Sequence, residues 1–235
     1  MVERDDAGSR LAVVIPAYRA GRTVGGVIRG VRAAVPAAPI YVVDDGSDDD
    51  TAAAARGTGA AVASFPENRG KGAALAAGVS KALSLGADVI VTLDADGQHE
   101  PSAVPSLAGP VIRDEADLVL GARERTARMP VPRRFNNWVS SRLASRLAGY
   151  DVPDAQTGFR AFHREVAEHI RPMDSRYDFE LEFLLGALEA GFRVRSVPVA
   201  TIYDGAASHF RVLGDTWRVA RVFARHSAGI LRGKR

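Results

Sequence analysis

Four apolar runs that lack polar alternation constrain this chain more than any other feature. They are Leu11 to Ala17, Ile40 to Asp45, Asp88 to Asp94 and Leu118 to Gly121. A strand that is apolar along its whole length must be covered on both faces, which is the environment of a parallel sheet. Helical patterning fills the gaps at Thr23 to Ala34, Thr51 to Arg56 and Gly70 to Leu85, with a short strand at Ala60 to Phe65. Alternating strands and helices predict an α/β fold, a mostly parallel central sheet flanked by helices. Beyond Gly121 the alternation weakens. The pattern there predicts an amphipathic helix over Arg134 to Leu147, a strand over Gln156 to Phe162, a helix over Phe179 to Ala190 and a strand over Phe192 to Ile202. A basic amphipathic helix, Asp215 to Leu231, is expected at the end of the chain.

At 235 residues, with 46% hydrophobic and 25% charged residues, the chain suits one full-sized domain over 11–235, preceded by a flexible polar segment over 1–10. The absence of cysteine excludes disulfides and thiolate metal sites, and fits a cytoplasmic protein. No apolar run approaches the roughly 20 residues needed to cross a bilayer. Peripheral placement at the inner face of the plasma membrane stays open. The formal charge is only +3 but is unevenly spread. Acids crowd Asp44 to Asp50 and Asp94 to Glu100, while Arg211, Arg218, Arg221 and Arg225 stand near the end. No nucleic-acid recognition pattern accompanies that basic end, so a diphosphate or an anionic lipid surface is the expected partner.

Ligands of parallel sheets bind at the carboxyl ends of the strands. Two such ends are acidic. Asp94-Ala95-Asp96-Gly97-Gln98-His99 places two carboxylates one residue apart, a hard-oxygen set suited to Mg²⁺ or Mn²⁺ shared with phosphates. Asp44-Asp45-Gly46-Ser47 ends a second strand. Each alone also reads as a polar turn, but two in one sheet are a stronger signal. Asn68-Arg69-Gly70-Lys71-Gly72 opens a helix and forms a candidate anion site without P-loop spacing. Arg123 follows a strand and Asp154 to Arg160 mixes a carboxylate, an amide, a glycine and a cation. Tyr177-Asp178-Phe179-Glu180 starts a helix with acids, which also suits simple capping.

Taken in order, these segments resemble the family 2 glycosyltransferases of GT-A fold, in the branch of dolichyl-phosphate mannose synthases and bacterial polyprenyl-phosphate glycosyltransferases. Val14-Ile15-Pro16-Ala17-Tyr18 and Thr157-Gly158-Phe159-Arg160 complete the set, which spans roughly 11–215. The resemblance implies a Rossmann-like GT-A domain and residue roles. Pro16, Ala17, Tyr18, Asp44 and Asp45 would hold the nucleoside. Lys71, Asp94, Ala95 and Asp96 would complete the donor site, and Asp94, Asp96 and Gln98 would bind the metal. Arg123 would meet the donor sugar or diphosphate, and Arg134, Arg160 and Arg211 would meet phosphates of donor or acceptor. Asp178 and Glu180 would form an acidic pair beside the sugar.

The implied reaction is inverting transfer from a nucleotide diphosphate sugar, of GDP-mannose or UDP-glucose type, to a polyprenyl phosphate. A phosphate acceptor is already anionic near pH 7; a hydroxyl acceptor needs a base, and Asp154 is the candidate. Rival readings are transfer to a soluble small-molecule or peptide hydroxyl, a nucleotidyltransferase, an Asp-x-Asp phosphatase, and a nonenzymatic nucleotide-sugar sensor. The phosphatase loop usually follows the first strand of its fold, whereas three strands precede Asp94 here.

Overall fold

The computed structural model describes residues 10–123, 131–170, 179–200 and 202, with backbone alone over 131–137. Seven strands form one sheet in the order β3-β2-β1-β4-β6-β5-β7. Strand β1 (Leu11–Ala17) is flanked in parallel by β2 (Ile40–Asp44) and the central β4 (Val89–Thr92), and β3 (Ala61–Ser64) extends the sheet beyond β2. One strand runs the other way. β6 (Arg160–His163) lies antiparallel between β4 and β5 (Leu118–Arg123), and β7 (Val194–Val199) pairs in parallel with β5. The sheet is therefore mostly parallel, as the uninterrupted apolar runs predict.

Strand periodicity sorts the core into two layers. Leu11, Val13, Ile15 and Ala17 of β1 join one layer with α1 (Val24–Ala34) and α4 (Val104–Ile112). Ala12 and Val14 join the other, with α3 (Lys71–Ser84), α5 (Val131–Ala148), α6 (Arg164–His169) and α7 (Phe179–Glu189). The short α2 (Thr51–Arg56) connects β2 to β3. In α1 the buried residues Val24, Val27, Ile28 and Val31 follow the three–four spacing of one helix face.

Two helices, α4 and α6, and a 3₁₀ turn at Pro101–Ala103 have no counterpart in the sequence reading. Prolines hide α4. Pro105 occupies its first turn, where an amide is not needed, and Pro110 lies inside it near the end. The strand expected over Gln156 to Phe162 starts only at Arg160, because the preceding loop is tied to that residue's side chain. The strand expected over Phe192 to Ile202 shortens to Val194–Val199. The expected loose segment before Arg10 and the helix Asp215 to Leu231 lie outside the described residues. Among the described residues no helix is long and apolar enough to cross a membrane.

Helix α3 lies close on the sheet because Gly78 lacks a side chain. A Cβ there would stand 2.4 Å from Val14 Cγ1 and 3.2 Å from Val43 Cγ2. Alanine has the better helix propensity, by roughly 1 kcal/mol, but overpacking a tight core costs about 1–3 kcal/mol. Gly78→Ala is expected to lower stability by about 1 kcal/mol, read as a lower urea midpoint with unchanged slope.

Candidate active site

The topology gathers one edge. The carboxyl ends of β1, β2, β4, β5 and β7 all reach it, and the reversed β6 brings its amino end, Arg160, to the same side. The acidic strand ends, Arg123 and the loop before Arg160 thereby share one rim.

On the β1–β2 side the sequence candidates are used largely by the fold. Pro16 and Ala17 are still part of β1 and buried, and only Tyr18 opens outward, 44% exposed, with the Arg19 guanidinium 5.2 Å from its ring centroid. Asp44 is buried and accepts from the Ser47 amide at 3.2 Å. Asp45, also buried, accepts from Asn68 Nδ2 at 3.0 Å and from the amides of Arg69 and Gly70 at 2.8 and 2.9 Å. That carboxylate fixes the loop that leads into α3. Gly46 makes the approach possible, since a Cβ there would stand 2.4 Å from the Glu67 carbonyl carbon and its φ is +69°. The loops after β1 and β2 are also laced together. The amides of Arg19, Ala20 and Gly21 donate to Ser47, Thr51 and Asp49, and Arg19 pairs with Asp48 at 2.8 Å.

The centre of the rim is Lys71, the first residue of α3. Its Nζ stands 2.6 Å from Asp94 Oδ1 and 2.7 Å from Glu180 Oε1. Burial alone would raise the Asp94 carboxyl, but the ammonium prevails and holds it below its ordinary value. Burial disfavours the Lys71 charge, yet Asp94 and Glu180 together raise its pKa. Gly158 walls the pair: a Cβ there would stand 2.5 Å from Asp94 Oδ1 and 2.7 Å from Lys71 Nζ. Ala95 is buried, and its carbonyl accepts from Thr23 Oγ1 at 2.6 Å, which anchors the loop to α1. Asp96 is exposed and Gln98 half-buried; Asp96 Oδ1 accepts from the Gln98 amide at 2.9 Å.

Two arginines complete the rim in different ways. Arg123 forms a fork on Asp154, with Nε to Oδ2 at 2.6 Å and Nη2 to Oδ1 at 3.2 Å, both side chains nearly solvent-free. Asp154 is thus a paired carboxylate, and a base role would require that fork to open. Arg160 donates to three backbone carbonyls, Thr157 at 2.7 Å, Glu180 at 2.5 Å and Ala155 at 3.0 Å. Burial pushes its pKa down to about 10 against the pull of Glu180 and Asp154. Arg160 thereby clamps the loop to α7.

The sequence reading missed three contributors. Asn68 and Gly158 stood inside quoted segments without a role. His99, which closes the Asp94 segment, is likewise given no role by the sequence, yet it is 3% exposed, packs 5.3 Å from the Phe159 ring centroid and has no hydrogen-bond partner for Nδ1 among the described residues. Burial lowers its pKa, with Asp94 opposing. Asp178 and Arg211 lie outside the described residues, as does the side chain of Arg134, whose backbone belongs to α5.

Among the described residues no three His, Cys, Asp or Glu side chains converge as a closed metal site. The donor set still fits Mg²⁺ or Mn²⁺. Among the described residues Asp94 Oδ1 has no hydrogen-bond donor beyond its ion-pair contact with the Lys71 ammonium, and Asp96 is exposed two residues on. One or two carboxylates with phosphates completing the shell is the usual arrangement for Mg²⁺.

The clamp yields a direct test. Lysine carries the charge but not the three-way fork. Arg160→Lys is expected to cost about 2–4 kcal/mol, because buried carbonyls lose their donors. The readout is a lower thermal or urea midpoint.

Comparison with known proteins agrees with this geometry. The polyprenol monophosphomannose synthase of Mycolicibacterium smegmatis is 33% identical over 203 residues, covering 81% of this chain and 76% of that one. The dolichyl-phosphate hexose transferase of Haloferax volcanii is 32% identical over 191 residues, covering 80% and 81%. The fold is shared with glucosyl-3-phosphoglycerate synthase of Mycobacterium tuberculosis, solved with Mn²⁺, UDP and glucosyl-3-phosphoglycerate. That match has a TM-score of 0.77 at 23% identity and covers 94% of this chain and 81% of that one. The family model described as glycosyl transferase family 2 matches residues 12–171. With its acidic rim at the carboxyl edge of a GT-A sheet, this chain belongs to glycosyl transferase family 2 and is a glycosyltransferase.

Proposed function

We propose that this glycosyltransferase moves a sugar from a nucleotide diphosphate donor to a polyprenyl phosphate, with inversion at the anomeric carbon and with Mg²⁺ or Mn²⁺. The observation that carries the reading is the Asp94-Ala95-Asp96 loop. It offers one carboxylate tied to Lys71 and one open to solvent, on the rim that also holds Arg123. The names of the relatives that cover most of this chain support the lipid phosphate as acceptor.

The ion, when bound, supplies neutralising charge to the departing nucleoside diphosphate. Asp94, Asp96 and Gln98 are the residues to hold it. Tyr18 offers its outward ring to the nucleoside, and Asp45 keeps the facing loop in place. Arg123, oriented by Asp154, provides fixed positive charge where negative charge grows. A phosphate acceptor attacks without losing a proton, which suits a site whose Asp154 is already committed to an arginine. Glu180 and Asp178 are proposed to border the sugar.

The acceptor reading places the protein at an anionic membrane surface. In α5, Val139 and Leu143 are half-buried and Leu143 packs on the core, so the apolar side seats inward. Trp138 remains 49% exposed, and Arg142 and Arg146 follow it at successive four-residue steps, also exposed. An outward aromatic and basic ridge of this kind suits a headgroup layer. Sedimentation with anionic vesicles at low salt is expected to carry the protein down, and Trp138→Ala with Arg142→Ala to release it.

Thermal midpoints with GDP, UDP, CDP, ADP and dTDP, each with and without Mn²⁺, test the donor. One diphosphate is expected to raise the midpoint in the presence of the ion, by about 2.7 kcal/mol of stabilisation at a hundred times its dissociation constant. Asp96→Ala is expected to abolish the rise. No response to any diphosphate would sink the donor reading. Transfer to a soluble phosphorylated alcohol but not to a polyprenyl phosphate would replace the lipid acceptor with the soluble one.

A further inference from the structure

The donor reading leaves one contact unexplained: the cation nearest the metal loop belongs to the chain itself. Lys71 Nζ touches Asp94 Oδ1 at 2.6 Å and Glu180 Oε1 at 2.7 Å. Both oxygens are sealed from solvent, and no hydrogen-bond donor other than that ammonium serves them among the described residues. The Lys71 side chain nevertheless keeps 36% exposure and Asp94 keeps 23%, so the pair opens to solvent on one side while Gly158 closes another.

We propose that Lys71 is a positioning residue that acts as the internal counter-cation of the metal loop, holding Asp94 until a diphosphate draws the ammonium away and a divalent ion takes its place. The proposal rests on the donor reading and adds an order to it: the ion binds well only together with the diphosphate.

Charge supports this order. At the centre of the rim Asp94, Glu180 and Asp154 stand against Lys71, Arg123 and Arg160, in contact or in mutual electrostatic reach, and Asp96 adds one exposed acid beside them. A divalent ion arriving alone at Asp94 would meet an ammonium already at contact distance, and its two charges would exceed the one that Asp96 adds. An ion arriving with a diphosphate brings its own compensation. Geometry supports the exchange as well. Lys71 is the first residue of α3, so its flexible four-carbon stem starts beside the free amides of that helix end, where phosphate oxygens are favoured. The ammonium has a second place to go, on the diphosphate, when it releases Asp94. Glu180 keeps a hold on the same ammonium and limits how far it moves.

The test reads a gain, which structural damage does not produce. Mn²⁺ alone is titrated into nucleotide-free protein, and bound ion is followed by loss of the free-ion EPR signal. Lys71→Met is expected to bind Mn²⁺ at least tenfold more tightly than the unsubstituted protein, and Lys71→Arg to bind it no better. Lys71→Met with Glu180→Gln removes one charge of each sign, so it tests the same point should the single variant fail to fold. It too is expected to bind Mn²⁺ more tightly. Folded Lys71→Met forms that bind Mn²⁺ no better than the unsubstituted protein overturn the proposal, and the donor reading survives if UDP or GDP with Mn²⁺ still raises the thermal midpoint. If neither diphosphate raises it with Mn²⁺, the donor reading falls and takes the proposal with it.

Discussion

The Lys71 ammonium sits between Asp94 and Glu180, and with that one position it joins the start of α3, the loop after β4 and the first turn of α7. Remove the ammonium and the two carboxylate oxygens that it holds at 2.6 and 2.7 Å are left to repel each other at close range. The neighbouring charges obey the same requirement. Arg123 is meaningful only with Asp154, and Arg160 only with the carbonyls it satisfies. A rim so rich in ions holds its shape because nearly every charge is answered from a different secondary-structure element. Asp96, exposed and hydrogen-bonded to the Gln98 amide of its own loop, faces outward beside them.

Much of this was legible in the sequence because parallel strands announce themselves. The runs at Leu11, Ile40, Asp88 and Leu118 are apolar at adjacent positions, and only a sheet covered on both sides accepts that. The acids at Asp44 and Asp94 then fall at the edge where such sheets bind ligands, and the family follows from their order. Strand direction was not legible. Arg160-Ala161-Phe162-His163 has the same composition whichever way it runs, and its antiparallel placement depends on partners on β4 and β5.

Side-chain partners were harder still. Lys71 read as a phosphate cation because a lysine beside glycines at a helix start suggests one, while nothing local shows that Asp94 and Glu180 converge on it. Asp154 read as a base because a carboxylate near a glycine and an arginine suggests reactivity. Its commitment to Arg123 depends on the β5–β6 pairing that brings the two together. Arg160 read as a phosphate ligand from its charge, and its use as a clamp on three carbonyls is a property of the folded loop. Position along the chain reveals which residues reach the rim; only the fold decides which of them are already spoken for.

The reversed strand also bears on how the molecule is made. β5 has no neighbour in the sheet except β6 and β7, both of which lie later in the chain. During synthesis the stretch from Leu118 to Arg123 therefore emerges before either of its partners, whereas β1 to β4 find parallel partners among themselves. Unpaired apolar edges are the species on which aggregation feeds, and pairings distant in sequence form slowly. Insertion of β6 joins β4 to β5 and brings Arg160 to the rim, and β7 then covers the remaining edge of β5.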